Sequence, residues 1–293
     1  MLLRHIRYFL AVAEHRNFTR AAEALHVSQP TLSQQIRQLE DTLRVQLFDR
    51  SGRTIQLTDA GAAYVHFAQR ALQDLEAGER AIHDVQELSR GSLRLAMTPT
   101  FTAYLIGPLL EKYHHRYPNI VLNIFEMPQD RIEALLNEDA LDVGIAFDET
   151  HTSDIETQAL FVEALAMVVG KSHGHAKKPT ALTLGEFEKE ALVLLNEEFA
   201  TRHYIDRYCK RHGIAPRIVM EANSISAVIE IVRRSALATV LPAAIAREHS
   251  ELSLIDLKPA LPKRTAALLL RKGGYRSAAT QAFIALAQVS VEV

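Results

Sequence analysis

Between residues 28 and 38 the chain reads Ser-Gln-Pro-Thr-Leu-Ser-Gln-Gln-Ile-Arg-Gln, a run of amide, hydroxyl and guanidinium side chains. Leu32, Ile36, Leu39 and Leu43 fall at i, i+4, i+7 and i+11, which predicts one helix with a single buried stripe. The opposite face then carries Gln29, Thr31, Ser33, Gln34, Arg37 and Gln38. Glutamine can pair with adenine through two hydrogen bonds, arginine with guanine likewise, and threonine can touch a thymine methyl, so this is chemistry suited to base edges in a major groove. Ser28 is placed to cap the helix, and Gln29 and Pro30 occupy its first turn, where a missing proline N–H costs nothing. The candidate nucleic-acid residues are therefore Ser28, Gln29, Pro30, Thr31, Ser33, Gln34 and Arg37. A solvated polar face would look the same in isolation, so the elements around the helix must decide.

Those elements favour recognition. Leu2, Leu3, Ile6, Phe9, Leu10 and Ala13 recur at helical spacing and predict a first helix ending near Arg16 and Asn17. A short second helix follows, from a Thr19 N-cap through Ala21, Ala22 and Ala24 to Leu25, and its small residues let another helix cross closely. His26 and Val27 form the turn before Ser28. After Leu43, residues 45–50 and 54–57 alternate like two short strands around Ser51-Gly52, a wing on which Arg50 and Arg53 could clamp phosphates. Residues 1–60 hold eight arginines against six acids, and the first lysine is Lys112. A segment that uses only arginine suits bidentate contacts to phosphate and guanine.

From Thr58 to about Leu88 there is no proline, and Gly61, Tyr64, Ala68, Ala71, Leu75, Gly78, Ile82 and Val85 recur at spacings of three and four. That predicts a long helix with a heptad seam, which needs a partner helix and so a second copy of the chain. Past Gly91 the pattern changes to short apolar runs alternating with helical ones. The expected strands are 93–97, 121–125, 143–147, 164–169, 192–195, 218–222, 239–241 and 266–270, with helices at 103–117, 131–137, 201–212, 226–235 and 277–289. Such alternation predicts parallel sheets flanked by helices, and two such lobes enclose a cleft. The first strand ends in Thr98-Pro99-Thr100 before a helix beginning near Thr102, where hydroxyls and free backbone N–H groups can hold an anion.

Other chemistry is poorly supported. The 33 basic and 35 acidic residues nearly cancel, and 48% of residues are hydrophobic, enough for two or three small cores. No apolar run reaches the roughly 18 to 20 residues of a membrane span, so a cytoplasmic protein is expected. Cys209 is the single cysteine, which excludes an intrachain disulfide or a cysteine-built zinc site within these residues. His173-Gly174-His175 reads as a solvated turn rather than a metal site, and His114-His115 as a helix end. With no phosphate loop, nucleophile elbow or paired carboxylates, neither cofactor, metal nor catalysis is expected.

The stretch Phe18 to Ser33, continuing through Ile36, Leu39, Glu40, Leu47-Phe48-Asp49-Arg50 and Leu57-Thr58-Asp59-Ala60-Gly61, resembles the N-terminal signature of the LysR-type transcriptional regulators almost position for position. The resemblance implies an all-α winged helix-turn-helix at 1–58, a dimerising linker helix at 59–90, and a two-lobed α/β effector domain like the periplasmic binding proteins at 91–293. Lobe I would span about 91–161 and 267–293, and lobe II about 162–266. It further implies double-stranded DNA with an interrupted palindrome as partner, RNA polymerase, a homodimer or homotetramer, and a small-molecule effector. In the family's pattern Thr98, Thr100, Phe101, Phe147, Thr201, Asn223 and Ser224 face the cleft. Within the family, Gly91 to Arg94, Thr98 to Phe101, Phe199 to Arg202 and Glu221 to Val228 are similar to regulators of cyanate operons, implying cyanate or another small anion, with activation of a divergent operon and repression of the regulator's own gene. The alternatives are a solute-binding protein or a cleft enzyme carrying an N-terminal dimerisation module.

Overall fold

The computed structural model describes residues 2–52, 54–84, 91–177 and 180–290. The chain divides into two compact units, residues 1–85 and 86–293. Arg53 of the predicted wing, and Val85 of the predicted seam, lie outside the described residues.

In the first unit, α1 (Leu3–His15), α2 (Phe18–Ala24) and α3 (Gln29–Leu43) pack around Phe9, Ala21, Leu32, Ile36 and Leu39, all fully buried. The cap of α2 is Asn17, not Thr19: its side chain accepts from the backbone N–H of Thr19 and Arg20 at 2.8 and 3.1 Å, because an amide one residue before the helix reaches both orphan donors. His26 adopts a left-handed φ of 54°, which makes the sharp turn into α3. Ser28 caps α3 by accepting from the N–H of Thr31 at 3.3 Å. The wing shrinks to two paired two-residue strands, β1 (Phe48–Asp49) and β2 (Gln56–Leu57).

The long helix α4 (Asp59–Asp84) begins against this core. Gly61, Tyr64 and Ala68, expected on a seam toward a second copy, instead turn inward. A Cβ on Gly61 would stand 2.0 Å from the Leu47 carbonyl oxygen, while Ala68 is buried and Tyr64 packs against the same cluster. Phe67 and Leu75 are left exposed, at 68% and 52%. The first turns of α4 thus satisfy the unit's own core, and apolar surface for another helix lies further along and to one side.

The second unit opens with β3 (Gly91–Met97), α5 (Pro99–Thr102), α6 (Ile106–Arg116), β4 (Ile120–Glu126), α7 (Gln129–Asn137), β5 (Val143–Phe147) and the long β6 (Ile155–Gly170). It continues through β7 (Leu182–Thr183), α8 (Leu184–Phe187), β8 (Ala191–Leu195), α9 (Ala200–His212), β9 (Arg217–Ala222), α10 (Ile225–Arg234) and β10 (Ala238–Pro242). The remaining elements are α11 (Ala243–Arg247), β11 (Leu252–Ile255), β12 (Leu257–Lys258), β13 (Lys263–Arg271) and α12 (Ala278–Ser290). The helix expected at 103–117 is α6, which begins only at Ile106, and a separate short helix, α5, precedes it across Ala103 to Leu105.

Hydrogen bonding runs in the order β4-β3-β5-β13-β6-β10-β8-β9, with β11 also paired to β6. The β3–β4, β3–β5 and β8–β9 pairs are parallel, as alternation with helices predicts. However, β13 is antiparallel to both β5 and β6, and β10 and β11 are antiparallel to β6, so the sheet is mixed. The reason is β6 itself. Its first part, through Ala164, pairs with β13, and its second part, from Leu165, pairs with β10. One strand thereby serves both lobes. Lobe I packs Leu93, Phe101, Tyr113, Ile145 and Phe283; lobe II packs Met167, Leu194 and Ile205 on one side and Val168, Val228 and Leu241 on the other.

Candidate functional site

On α3 the buried stripe comprises Leu32, Ile36 and Leu39, with Glu40 beside it. Gln29, Pro30, Thr31, Gln34, Arg37 and Gln38 are exposed, and Ser33 is half-buried. Local bonds pre-order this face. The Ser28 and Thr31 hydroxyls lie 2.7 Å apart, and Gln29 donates through Nε2 to Ser33 Oγ at 3.1 Å, keeping its own Oε1 and one N–H available. Arg50 is differently engaged. Its Nη2 donates to Glu40 at 2.6 Å and its guanidinium covers the Phe18 ring at 5.3 Å. The same carboxylate accepts from the N–H of Leu47 and Phe48, so Glu40 and Arg50 together brace the entry into the wing.

In the second unit the sequence-selected cleft residues do not all meet. Thr98, Thr100, Phe147 and Thr201 line one cavity of about 20 Å³, together with Pro99, Pro128, Gln129, Glu198, Phe199 and Ala200. Asn223 and Ser224 line an adjoining recess of about 350 Å³ with Thr102, Glu126 and His249, which shares Pro99 and Phe199 with the first. Ser224 is occupied as the cap of α10, accepting from the N–H of Ala227. Phe101 lies fully buried in lobe I, its ring centroid 5.3 Å from that of Phe147, and so backs the wall rather than forming it.

The small cavity has an unusual donor set. The hydroxyl oxygens of Thr98 and Thr100 are buried without a hydrogen-bond partner. A buried hydroxyl left unpaired costs free energy, so a pair of them marks a place where a partner is due. Thr201 Oγ1 accepts from Arg264 Nη2 at 3.1 Å, which leaves its own O–H free to donate. Thr201 belongs to the first turn of α9, a 13-residue helix with no side-chain cap. Ala200 and Thr201 of that first turn, at the helix's partial positive end, line the cavity. About 20 Å³ holds one water or a molecule of a few atoms. A wider recess of about 800 Å³ shares Pro128, Gln129, Phe147, Glu198 and Ala200 with it and adds Asp130, Glu149, His203, Tyr204, Arg207 and Lys210.

Several residues of this region were not singled out from sequence. Gln129 clamps the end of β5, accepting from the N–H of Phe147 at 3.1 Å and standing within 3.1 Å of the Phe147 and Glu149 carbonyls. Arg264 is buried, pairs with Glu163, and lies over the Phe147 ring at 3.9 Å. Tyr104 donates to the other Glu163 oxygen at 2.5 Å, and burial together with that carboxylate pushes its hydroxyl pKa well up. Nothing local to Glu163 or Arg264 signals a pairing between residues 101 positions apart.

The turn at residues 173–175, expected to be solvated, is so only in part: Gly174 is exposed and His175 half-buried. His173 is buried and its Nε2 meets Glu190 at 3.0 Å, while His175 meets the other oxygen at 3.3 Å, because the approach to β8 brings residue 190 beneath the turn. Among the described residues no group of three or more His, Cys, Asp or Glu could hold a metal ion, and no helix is long and apolar enough to cross a membrane.

Comparison with known proteins gives the same division of labour. Residues 3–62 match the profile described as bacterial regulatory helix-turn-helix protein, lysR family, and residues 86–290 match the LysR substrate binding domain. The RuBisCO operon transcriptional regulator of Allochromatium vinosum is 29% identical over 284 residues, covering 96% of this chain and 93% of that protein. The DNA-binding transcriptional dual regulator OxyR of Escherichia coli (strain K12) is 30% identical over 278 residues, covering 93% and 90%. Among solved structures, a full-length OxyR point variant from Pseudomonas aeruginosa superposes with a TM-score of 0.70 at 25% identity, over 99% of this chain and 95% of that one. Full-length CbnR complexed with its target DNA has a TM-score of 0.62 over 99% and 100%, and at 24% identity that likeness speaks to the fold. These relatives are transcriptional regulators, not enzymes. A helix-turn-helix unit with an exposed amide-rich helix, followed by a two-lobed substrate-binding unit, places this chain in the LysR family of DNA-binding transcriptional regulators.

Proposed function

We propose that this regulator reads an interrupted palindrome with Ser28, Gln29, Pro30, Thr31, Ser33, Gln34 and Arg37, and responds to a small anion held by Thr98, Thr100 and Thr201 within the second unit. The observation that carries the effector reading is the pair of buried, unpartnered hydroxyls on Thr98 and Thr100 beside the uncapped first turn of α9. Three O–H donors and a helix N-terminus around so small a space suit an anion of a few atoms. Cyanate is the candidate that the sequence likeness of residues 91–94, 98–101, 199–202 and 221–228 brings forward. Control of a divergent operon and of the regulator's own gene, in the cytoplasm, with 1–58, 59–90 and 91–293 as working parts, completes the proposal. Arg50 acts through Glu40, and Arg53 is proposed, from sequence, as a phosphate contact. Exposed Phe67 and Leu75 on α4 favour a second copy of the chain as partner.

The relatives' names raise a different signal, peroxide. Burial and the nearby Asp206 carboxylate push the Cys209 thiol up to about 11, and a protonated thiol is a poor reductant of peroxide. That favours a bound effector over thiol chemistry.

Two measurements test the proposal. Cyanate titrated into the protein should raise the melting temperature and alter the footprint on DNA flanking the regulator's gene; an unchanged melt and footprint up to tens of millimolar removes cyanate. Arg37→Ala should weaken that DNA complex, and unaltered binding removes that arginine from the readout.

A further inference from the structure

A hydrogen-bonded relay connects the buried face of α1 to the exposed face of α3. His5 is buried, and its Nδ1 faces the backbone N–H of Leu2 at 3.4 Å. A backbone N–H can only donate, so this ring nitrogen is the unprotonated one and Nε2 carries the proton. Nε2 faces a side-chain atom of Gln35 at 3.0 Å, which must therefore be the amide oxygen, Oε1. That orientation turns the Gln35 NH2 group toward Gln38, where it meets Oε1 at 3.1 Å. Each link dictates the next, and the direction is set by the single donor at Leu2.

The chain ends on the polar face. Gln38 stands one turn beyond Gln34 on the exposed side of α3, while Gln35 occupies the flank nearer α1. Its oxygen is engaged by Gln35, and its NH2 group has no hydrogen-bond partner among the described residues. A free glutamine can offer a donor and an acceptor side by side, the pair that adenine requires. In Gln38 the oxygen is turned toward Gln35, which fixes the orientation of the amide, whereas Gln29 is bonded to Ser33 only through its nitrogen.

We propose that His5 is a positioning residue for DNA readout: by fixing its tautomer it turns the Gln38 oxygen toward Gln35 and leaves the Gln38 NH2 group to meet hydrogen-bond acceptors on the duplex. Those acceptors are phosphate oxygens or the acceptor atoms of base edges. This rests on α3 being the DNA-facing helix.

The test is a double-mutant cycle on the full chain, using a duplex selected by the wild-type protein from a randomised pool. His5→Phe removes the Nε2 donor with little change in shape, and Gln35→Leu cuts the middle link should His5→Phe fail to fold; melting curves establish which variants are folded. His5→Phe, Gln35→Leu and Gln38→Ala should each weaken binding about three- to tenfold, the range of one lost hydrogen bond. The double variants His5→Phe/Gln38→Ala and Gln35→Leu/Gln38→Ala should bind no more weakly than Gln38→Ala alone. Repeating the selection with Gln35→Leu separates the two acceptor sources: a changed preference at one base pair identifies a base edge, and a uniform loss identifies a phosphate. Losses that multiply in the double variants overturn the relay, as does normal binding by folded Gln35→Leu when Gln38→Ala is impaired. If Gln34→Ala, Arg37→Ala and Gln38→Ala all bind normally, the helix itself is not the reading element.

Discussion

Arg264 on β13 stands directly opposite Glu163 on β6 in the antiparallel register, and the two side chains form a buried ion pair just before β6 leaves β13 for β10. Arg264 also donates to Thr201, so the strand crossing between lobes is bonded to the first turn of α9. Removing one partner of a buried pair leaves the other charge uncompensated, which typically costs ~3–5 kcal/mol. Arg264→Met is expected to destabilise the second unit by about that amount in urea unfolding, and Arg264→Met/Glu163→Gln to recover much of it. If the single variant unfolds like wild type, the pair does not hold the crossing.

Thr98→Val and Thr100→Val should separate stability from response. Each replaces an unpartnered buried hydroxyl by a methyl of the same shape, so the effector-free protein should melt at the same temperature or slightly higher. The shift produced by a small anion should shrink or vanish. Calorimetric melts with and without cyanate read both effects, and a marked drop in effector-free stability would mean that these hydroxyls already have partners.

Gly61→Ala places a Cβ 2.0 Å from the Leu47 carbonyl oxygen, a backbone atom that cannot rotate aside. The first turn of α4 must move away from the wing entry, at a cost of about 1–3 kcal/mol. Because Leu47 also bonds Glu40, the braced Glu40–Arg50 pair should loosen with it. Reduced stability of the first unit and weaker DNA binding are expected together; Gly78→Ala, with open space around its Cβ, serves as the tolerant control.

The Cys209 thiol, raised to about 11 by burial and by Asp206, is almost entirely protonated at neutral pH. Since the thiolate is the nucleophile, iodoacetamide should react very slowly with the native protein near neutral pH and faster only as the pH climbs toward the thiol's pKa. Mass spectrometry of timed samples checks this. Rapid labelling at neutral pH would contradict the burial and reopen thiol chemistry.

Some of these features were legible early because they are local. The stripe of Leu32, Ile36 and Leu39, and the cap at Ser28, depend on spacings of three to seven residues, which helical geometry converts directly into faces and ends. The strands at 93–97, 143–147 and 192–195 could likewise be read from short buried runs. The first part of β6 could not: residues 155–163 alternate more and less buried positions with Glu156 and Glu163 among them, which lowers their apolar signal.

Periodicity within a dozen residues was enough to define the polar-faced helix, its neighbours in the helix-turn-helix, and the change to an α/β unit past residue 90. Which distant groups meet became visible only in three dimensions. Folding joined Glu163 to Arg264 and His5 to Gln35, gathered Thr98, Thr100 and Thr201 with Asn223 in an adjoining recess, and turned Gly61 inward. The physical reason is that hydrophobic spacing sets the face a residue occupies, whereas a buried polar atom's partner depends on which strand or helix closes over it.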